Sequence, residues 1–198
     1  MENNNEITMK ISCDLPDFFE FLQKEKYKEV LKFTLDDTYM IPNELDIKSL
    51  SPREILSKAI LIRKIVEFSP AVIRYKLTFK NKKFDDNGNI LFQESTSCEV
   101  KDIKKTEKFL NALGYKKIMN IFETDTIVEK NNFKFILKEV KNGDNLIECE
   151  TLMNNLNNTD ELKNKFIEEK IPIQADDFFV KKAEIELEKV LNILKQEK

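Results

Sequence analysis

The chain has 198 residues, 41% of them hydrophobic and 15 of them Phe, enough for one domain with a substantial core and too few for two full ones. Lys and Arg number 33 against 36 Asp and Glu, so the net charge of -3 excludes general nucleic-acid binding by bulk charge and makes any anion site a local one. With no His, the chain lacks His-assisted Ser or Cys nucleophiles, His general bases and the usual zinc sites, which leaves chemistry to carboxylates, Lys, Arg, Tyr or a metal.

The first predicted element is a short strand over residues 6–12, after an N-terminus that lacks the basic and apolar regions of a signal peptide. Asp14 followed by Pro16 marks a helix start, with Phe18, Phe19 and Leu22 on the apolar side of a helix over about 15–26. Residues 29–40 read as a strand. Residues 41–52 are polar and irregular, with Ser51-Pro52-Arg53-Glu54 at a turn or short helix start. Strands are expected over 59–68 and 71–80, a hairpin turn at 85–89 where Asn and Gly tolerate positive φ, and a returning strand over 90–100.

Ile103, Thr106, Phe109, Leu110 and Leu113 follow helical spacing in a helix over 102–113 that Gly114 ends. Strands over 118–129 and 133–140 form a hairpin, and Asn142-Gly143-Asp144 turns the chain into a strand that carries Glu148. The Asn run at 154–158 reads as a loop. Helices are expected over 160–169 and 177–195, the last with Phe179, Ala183, Leu187, Val190, Leu191 and Leu194 on its apolar side. No apolar run approaches the ~18 residues of a membrane span. Cys13, Cys98 and Cys149 are odd in number and widely separated, as expected of reduced thiols in a cytoplasmic protein with neither a membrane nor a nucleic acid as partner.

Three of these strands carry charge in a two-residue rhythm. Over 73–80 it sets Arg74, Lys76, Thr78 and Lys80 on one face and Ile73, Tyr75, Leu77 and Phe79 on the other, so a basic row backs an apolar layer. Such a row suits a polyanion. Glu6, Thr8 and Lys10 alternate in the first strand, and Glu148 and Glu150 in the last. If these strands face one cavity, Glu6, Glu148 and Glu150 offer oxygen ligands to a hard divalent cation while the basic groups hold phosphates.

Glu6-Ile7-Thr8-Met9-Lys10, Asp37-Thr38-Tyr39, Leu77-Thr78-Phe79-Lys80, Leu113-Gly114-Tyr115 and Asn145-Leu146-Ile147-Glu148-Cys149-Glu150 occur in an order that resembles the CYTH, or triphosphate tunnel metalloenzyme, superfamily. The resemblance spans nearly the whole chain. It implies an α+β fold: an antiparallel closed β-barrel, or tunnel, of about eight strands with flanking helices. Residues 1–198 would then form a single domain, with 155–198 a helical C-terminal extension packed on the barrel.

The family includes class IV adenylate cyclases, thiamine triphosphatases and inorganic triphosphatases. The resemblance therefore implies metal ligation by Glu6, Glu148 and Glu150, with Mg²⁺ or Mn²⁺ as cofactor. The same resemblance implies triphosphate binding by Lys10, Arg63 and Lys80, to which the alternation adds Lys76 and Arg74. Departures are as visible as matches. Thr8 stands where the family's opening Glu-x-Glu-x-Lys has its middle Glu, and Arg63 matches only the second member of an Arg-x-Arg pair. Glu123-Thr124-Asp125 stands where a Lys-x-Arg is usual, and Lys138 where an Asp is usual.

The expectation is thus a divergent tunnel protein that binds a triphosphate-containing nucleotide or polyphosphate with a divalent metal. Hydrolysis and class IV-type cyclisation stay open beside a non-catalytic scaffold for a protein partner, as does a homodimer. No residue is assigned to catalysis.

Overall fold

The computed structural model describes residues 5–84 and 90–196, with side chains for 5–79 and 95–196. The hairpin turn expected at 85–89 and the side chain of Lys80 lie outside the described residues. Eight strands and six helices follow in the order β1 (Glu6–Lys10), α1 (Leu15–Lys24), β2 (Lys28–Pro42), α2 (Pro52–Leu56), β3 (Ile60–Phe68), β4 (Ala71–Phe84), β5 (Ile90–Glu99), α3 (Ile103–Ala112), β6 (Tyr115–Lys130), β7 (Phe133–Val140), β8 (Asn145–Glu150), α4 (Thr151–Asn154), α5 (Thr159–Glu168) and α6 (Lys182–Gln196). The strands form one sheet in the order β1-β8-β7-β6-β2-β3-β4-β5.

The class is α+β with an eight-stranded antiparallel sheet. The expected closure is not confirmed: the strand order runs from β1 to β5 with no pairing of those two among the described residues. Alternating charge patterns specify which residues share a face of a strand. They do not specify which strands meet at the two ends of a sheet.

Contacts divide the chain into two compact units, one of Met1–Phe33, Glu67–Pro70 and Glu123–Lys181, the other of Thr34–Val66, Ala71–Phe122 and Lys182–Lys198. In the first unit, alternation sends Ile7 and Met9 of β1, Phe133, Phe135 and Leu137 of β7, and Ile147 and Cys149 of β8 to one face, where they pack with Phe18 and Leu22 of α1 and Leu162 and Phe166 of α5. Edge-on rings hold this core, with Phe133 against Phe166 at 5.2 Å and Tyr27 against Phe135 at 5.3 Å. The opposite face of β1 and β8 carries Glu6, Lys10, Glu148 and Glu150, and that of β7 carries Lys134 and Lys138.

Local signals behave as their chemistry requires. Asp14 caps α1 by accepting from the Asp17 N–H, and Ser51 with Glu54 forms a reciprocal capping box on α2. Asn131 and Asn132 both take positive φ in the β6–β7 turn, and Gly114 (φ 85) ends the α3 segment.

The helix expected over 177–195 starts later, at Lys182. Before it, the Thr8 N–H donates to the Phe178 carbonyl at 3.0 Å and the Val180 N–H donates to the Thr8 carbonyl at 3.0 Å, so residues 178–180 run as an extended segment beside β1. The ladder groups on β1 would otherwise lack partners, and satisfying them outweighs the helical periodicity of Phe179. In the second unit α3 covers a smaller cluster of Met40, Ile62 and Leu110 with Leu77 and Tyr115 against it. There α6 lies against α2, where Arg53 Nε donates to Glu184 Oε1 at 3.1 Å.

Candidate functional site

In the first unit the antiparallel pairing of β1 and β8 sets Glu6 opposite Glu150 and Thr8 opposite Glu148. One carboxylate oxygen from each of Glu6, Glu148 and Glu150 lies within 4.8 Å of the others, so the three residues expected as metal ligands come together. Three hard oxygen donors at this spacing could hold a hard divalent cation. The apolar residues between them, Ile7, Ile147 and Cys149, are fully buried in the core behind, which fixes the strands that carry the acids.

Beneath this cluster lies one that motif matching could only register as a mismatch. Lys138, 6% exposed, places its ammonium 3.0 Å from Asp125 Oδ2, 3.3 Å from Glu148 Oε1 and 3.9 Å from Glu123 Oε1. Asp125 stands directly opposite Lys138 across the β6–β7 ladder. Burial alone would push the lysine's pKa down, but the combined charges of Glu148, Asp125 and Glu123 outweigh it and the pKa is raised. The positions expected to carry basic residues carry acids and the position expected to carry an acid carries the base, so the polarity across β6 and β7 is inverted.

Two of the basic residues expected to hold phosphate, Lys10 and Arg63, have carboxylate partners. Lys10, half-buried, pairs with Asp144 at 2.8 Å. In the second unit Arg63 donates through Nε and a terminal nitrogen to the two oxygens of Asp37 at 2.7 and 2.6 Å, a bidentate pair in which Asp37 is 1% exposed. Asp37 is further framed by Asn120, whose Nδ2 donates to Asp36 Oδ1, to the Asp37 carbonyl and to Thr38 Oγ1.

On β4, Arg74 is exposed and Lys76 half-buried, with Lys76 opposite Glu99 of β5. Leu77 packs towards α3 as the alternation requires, but Ile73 and Phe79 of the same row remain 57% and 41% exposed. The apolar layer behind the basic row is thus only partly covered. Tyr39 is half-buried beside Asp37 in β2.

Sequence reasoning also missed Asn154, at the end of the unanticipated α4. Its Oδ1 accepts the Lys134 N–H at 2.7 Å and its Nδ2 donates to the carbonyls of Lys134 and Glu150 at 2.9 and 3.1 Å, tying the end of β8 to β7. The signal was present as an Asn within a run of Asn, a residue suited to caps and turns, but its partners are remote in sequence.

With this geometry in hand, likeness to solved structures can be weighed. The PH1819 protein of Pyrococcus horikoshii OT3 is similar over 94% of this chain and 99% of its own, at 20% identity and a TM-score of 0.66. A Vibrio parahaemolyticus protein assigned as an adenylate cyclase is similar over 96% and 97%, at 10% identity and a TM-score of 0.53. A Hippeastrum protein assigned as an adenylyl cyclase, and described as having a dominant triphosphatase activity, is similar over 87% and 91%, at 13% identity and a TM-score of 0.50. At these identities the likeness is one of fold alone. No family model and no protein of curated function matches the sequence.

Proposed function

We propose that this protein binds a divalent cation, Mg²⁺ or Mn²⁺, on Glu6, Glu148 and Glu150 and through it a triphosphate-containing nucleotide or polyphosphate, with metal-dependent hydrolysis as the associated reaction. The observation that carries the reading is the convergence of three carboxylate oxygens within 4.8 Å on the paired strands β1 and β8. A bound divalent ion would neutralise phosphate oxygens and polarise the phosphorus for attack by water. The chain's own residues supply the oxygen cradle and the apolar backing of β1 and β8.

One observation favours binding without turnover. Lys10 and Lys138 are each engaged by a carboxylate, so phosphate would have to compete with Asp144 and Asp125 for them. Removing one electrostatic contact to a transition state costs on the order of 10²-fold or more in rate.

Calorimetric titration of Mn²⁺, then of tripolyphosphate in its presence, tests the reading, with Glu148→Gln alongside and released phosphate followed separately. Saturable Mn²⁺ binding that Glu148→Gln weakens by tenfold or more is the expected result. Binding unchanged in the variant would overturn the assignment, and binding without phosphate release would establish the non-catalytic form.

A further inference from the structure

The second unit carries a surface that the candidate site does not use. On α3, Leu110 is buried and Ile103 packs beside it in the cluster with Met40 and Ile62, which turns the opposite side of the helix to solvent. Residues four apart stack along a helix, so that side presents Lys105, Phe109 and Leu113 along one ridge and Lys104, Lys108 and Ala112 along the next. Phe109 and Leu113 are 63% and 59% exposed, two large apolar side chains left in water. Around them Lys101, Lys104, Lys105 and Lys108, with Lys116 and Lys117 past the turn at Gly114, are all exposed, against Asp102 and Glu107 as the acids of residues 101–117. In a chain of net charge -3 this is a local excess of positive charge.

Two features set this surface apart from an ordinary solvated face. Lys104 and Lys105 stand in the first turn of α3, which holds no acid, although the positive end of the helix dipole favours acids there. The apolar pair stands on the convex surface of a helix, where it offers no groove to a peptide and makes contact by entering its partner. Apolar groups ringed by ammoniums match an anionic bilayer surface, in which rings and aliphatic chains enter the boundary between headgroups and acyl chains while lysine stems reach back to the phosphates.

We infer that α3 and the start of β6 dock this protein on an anionic lipid surface, with Phe109 and Leu113 entering the bilayer interface and the flanking lysines meeting acidic headgroups. The expectation of no membrane partner rested on the lack of a spanning segment, and a helix lying in the interface plane needs none. This surface owes nothing to the carboxylate cluster on β1 and β8.

Cosedimentation with vesicles tests the docking, in EDTA so that no divalent ion bridges protein and lipid. One vesicle is phosphatidylcholine alone and the other contains phosphatidylserine as well. Wild type is expected to bind the mixed vesicles at low salt, to be released as salt rises, and not to bind the neutral ones. Lys104→Glu/Lys105→Glu and Phe109→Ser/Leu113→Ser should each weaken binding by on the order of tenfold or more. The charge reversal also supplies the first turn with acids, so its melting temperature should be unchanged or higher, which separates lost docking from lost folding. Should either pair fail to fold, Lys104→Gln/Lys105→Gln or Phe109→Ala/Leu113→Ala takes its place with the same expectation.

Equal binding to both vesicles, binding to neither, or a loss confined to one of the two pairs would overturn the inference, as would binding that survives both. Preference for soluble polyglutamate over the mixed vesicles would overturn it by assigning the face to an acidic protein. A dimer that Phe109→Ser/Leu113→Ser dissociates would overturn it by assigning the face to a second copy of the chain.

Discussion

Two residues change meaning between the sequence and the fold. Arg63 reads as a phosphate ligand along the chain, yet in the structure it closes a two-pronged pair on Asp37. Because Asp37 is nearly inaccessible while Arg63 keeps about a third of its side chain in solvent, Arg63→Met should cost about 3 kcal/mol by stranding a buried carboxylate. Adding Asp37→Leu should recover most of that loss, and urea denaturation of the single and double variants checks it.

Thr8 sits opposite Glu148 and is only 9% exposed. Thr8→Glu should therefore lower the stability of the metal-free protein by roughly 1–3 kcal/mol, since it buries a further charge beside like charges. The same variant should bind Mn²⁺ more tightly. Unchanged affinity in a folded Thr8→Glu protein would remove position 8 from the metal site.

Among the elements, α4 and β8 act together. β8 reaches the candidate site only if its end, Glu150, is held against β7, and Asn154 supplies that hold through both its carbonyl and its amide. Asn154→Ala would leave the Lys134 N–H and two carbonyls to find water, at a cost of about 1–3 kcal/mol. Because Glu150 is tied by the same residue, its Mn²⁺ affinity should fall as well, though no candidate ligand is removed. A stability loss with affinity intact would limit Asn154 to a structural role.

The first unit as a whole has a defined response to alkali. Burial, followed by Glu169 and Glu25, pushes the Tyr27 phenol above its ordinary value near 10, and burial pushes the Cys149 thiol from near 9 up to about 12. The lysine of the buried cluster is raised as well. Each of these groups holds its proton more tightly when folded. Their contribution is therefore complete below the unfolded values and is lost as pH climbs towards the folded ones. Melting temperature should show no loss from these groups between pH 7 and about 8.5 and should fall progressively above about pH 9, with Cys149→Ala shifting the onset upward. A melting temperature constant to pH 11 would contradict the burial of both Tyr27 and Cys149. Among the described residues no helix is long and apolar enough to cross a membrane.

Much of this molecule is determined by short-range chemistry and is legible along the chain. Two-residue alternation sorts Glu6, Glu148 and Glu150 from Ile7, Ile147 and Cys149, and Asp14, Ser51, Asn131 and Gly114 punctuate the elements at the positions the structure shows. Tertiary structure decided the remainder, because the energies involved depend on which strands become neighbours. Only the β1–β8 register brings Glu6 against Glu150, and only the β6–β7 register turns Glu123, Asp125 and Lys138 from three mismatches into one buried ion cluster. Phe178, Thr8 and Val180 form a ladder because unpaired backbone groups on β1 take the nearest partner, which helical periodicity around Phe179 cannot reveal. Whether the sheet closes likewise depends on long-range pairing at its two ends, where no local pattern of residues specifies the partner.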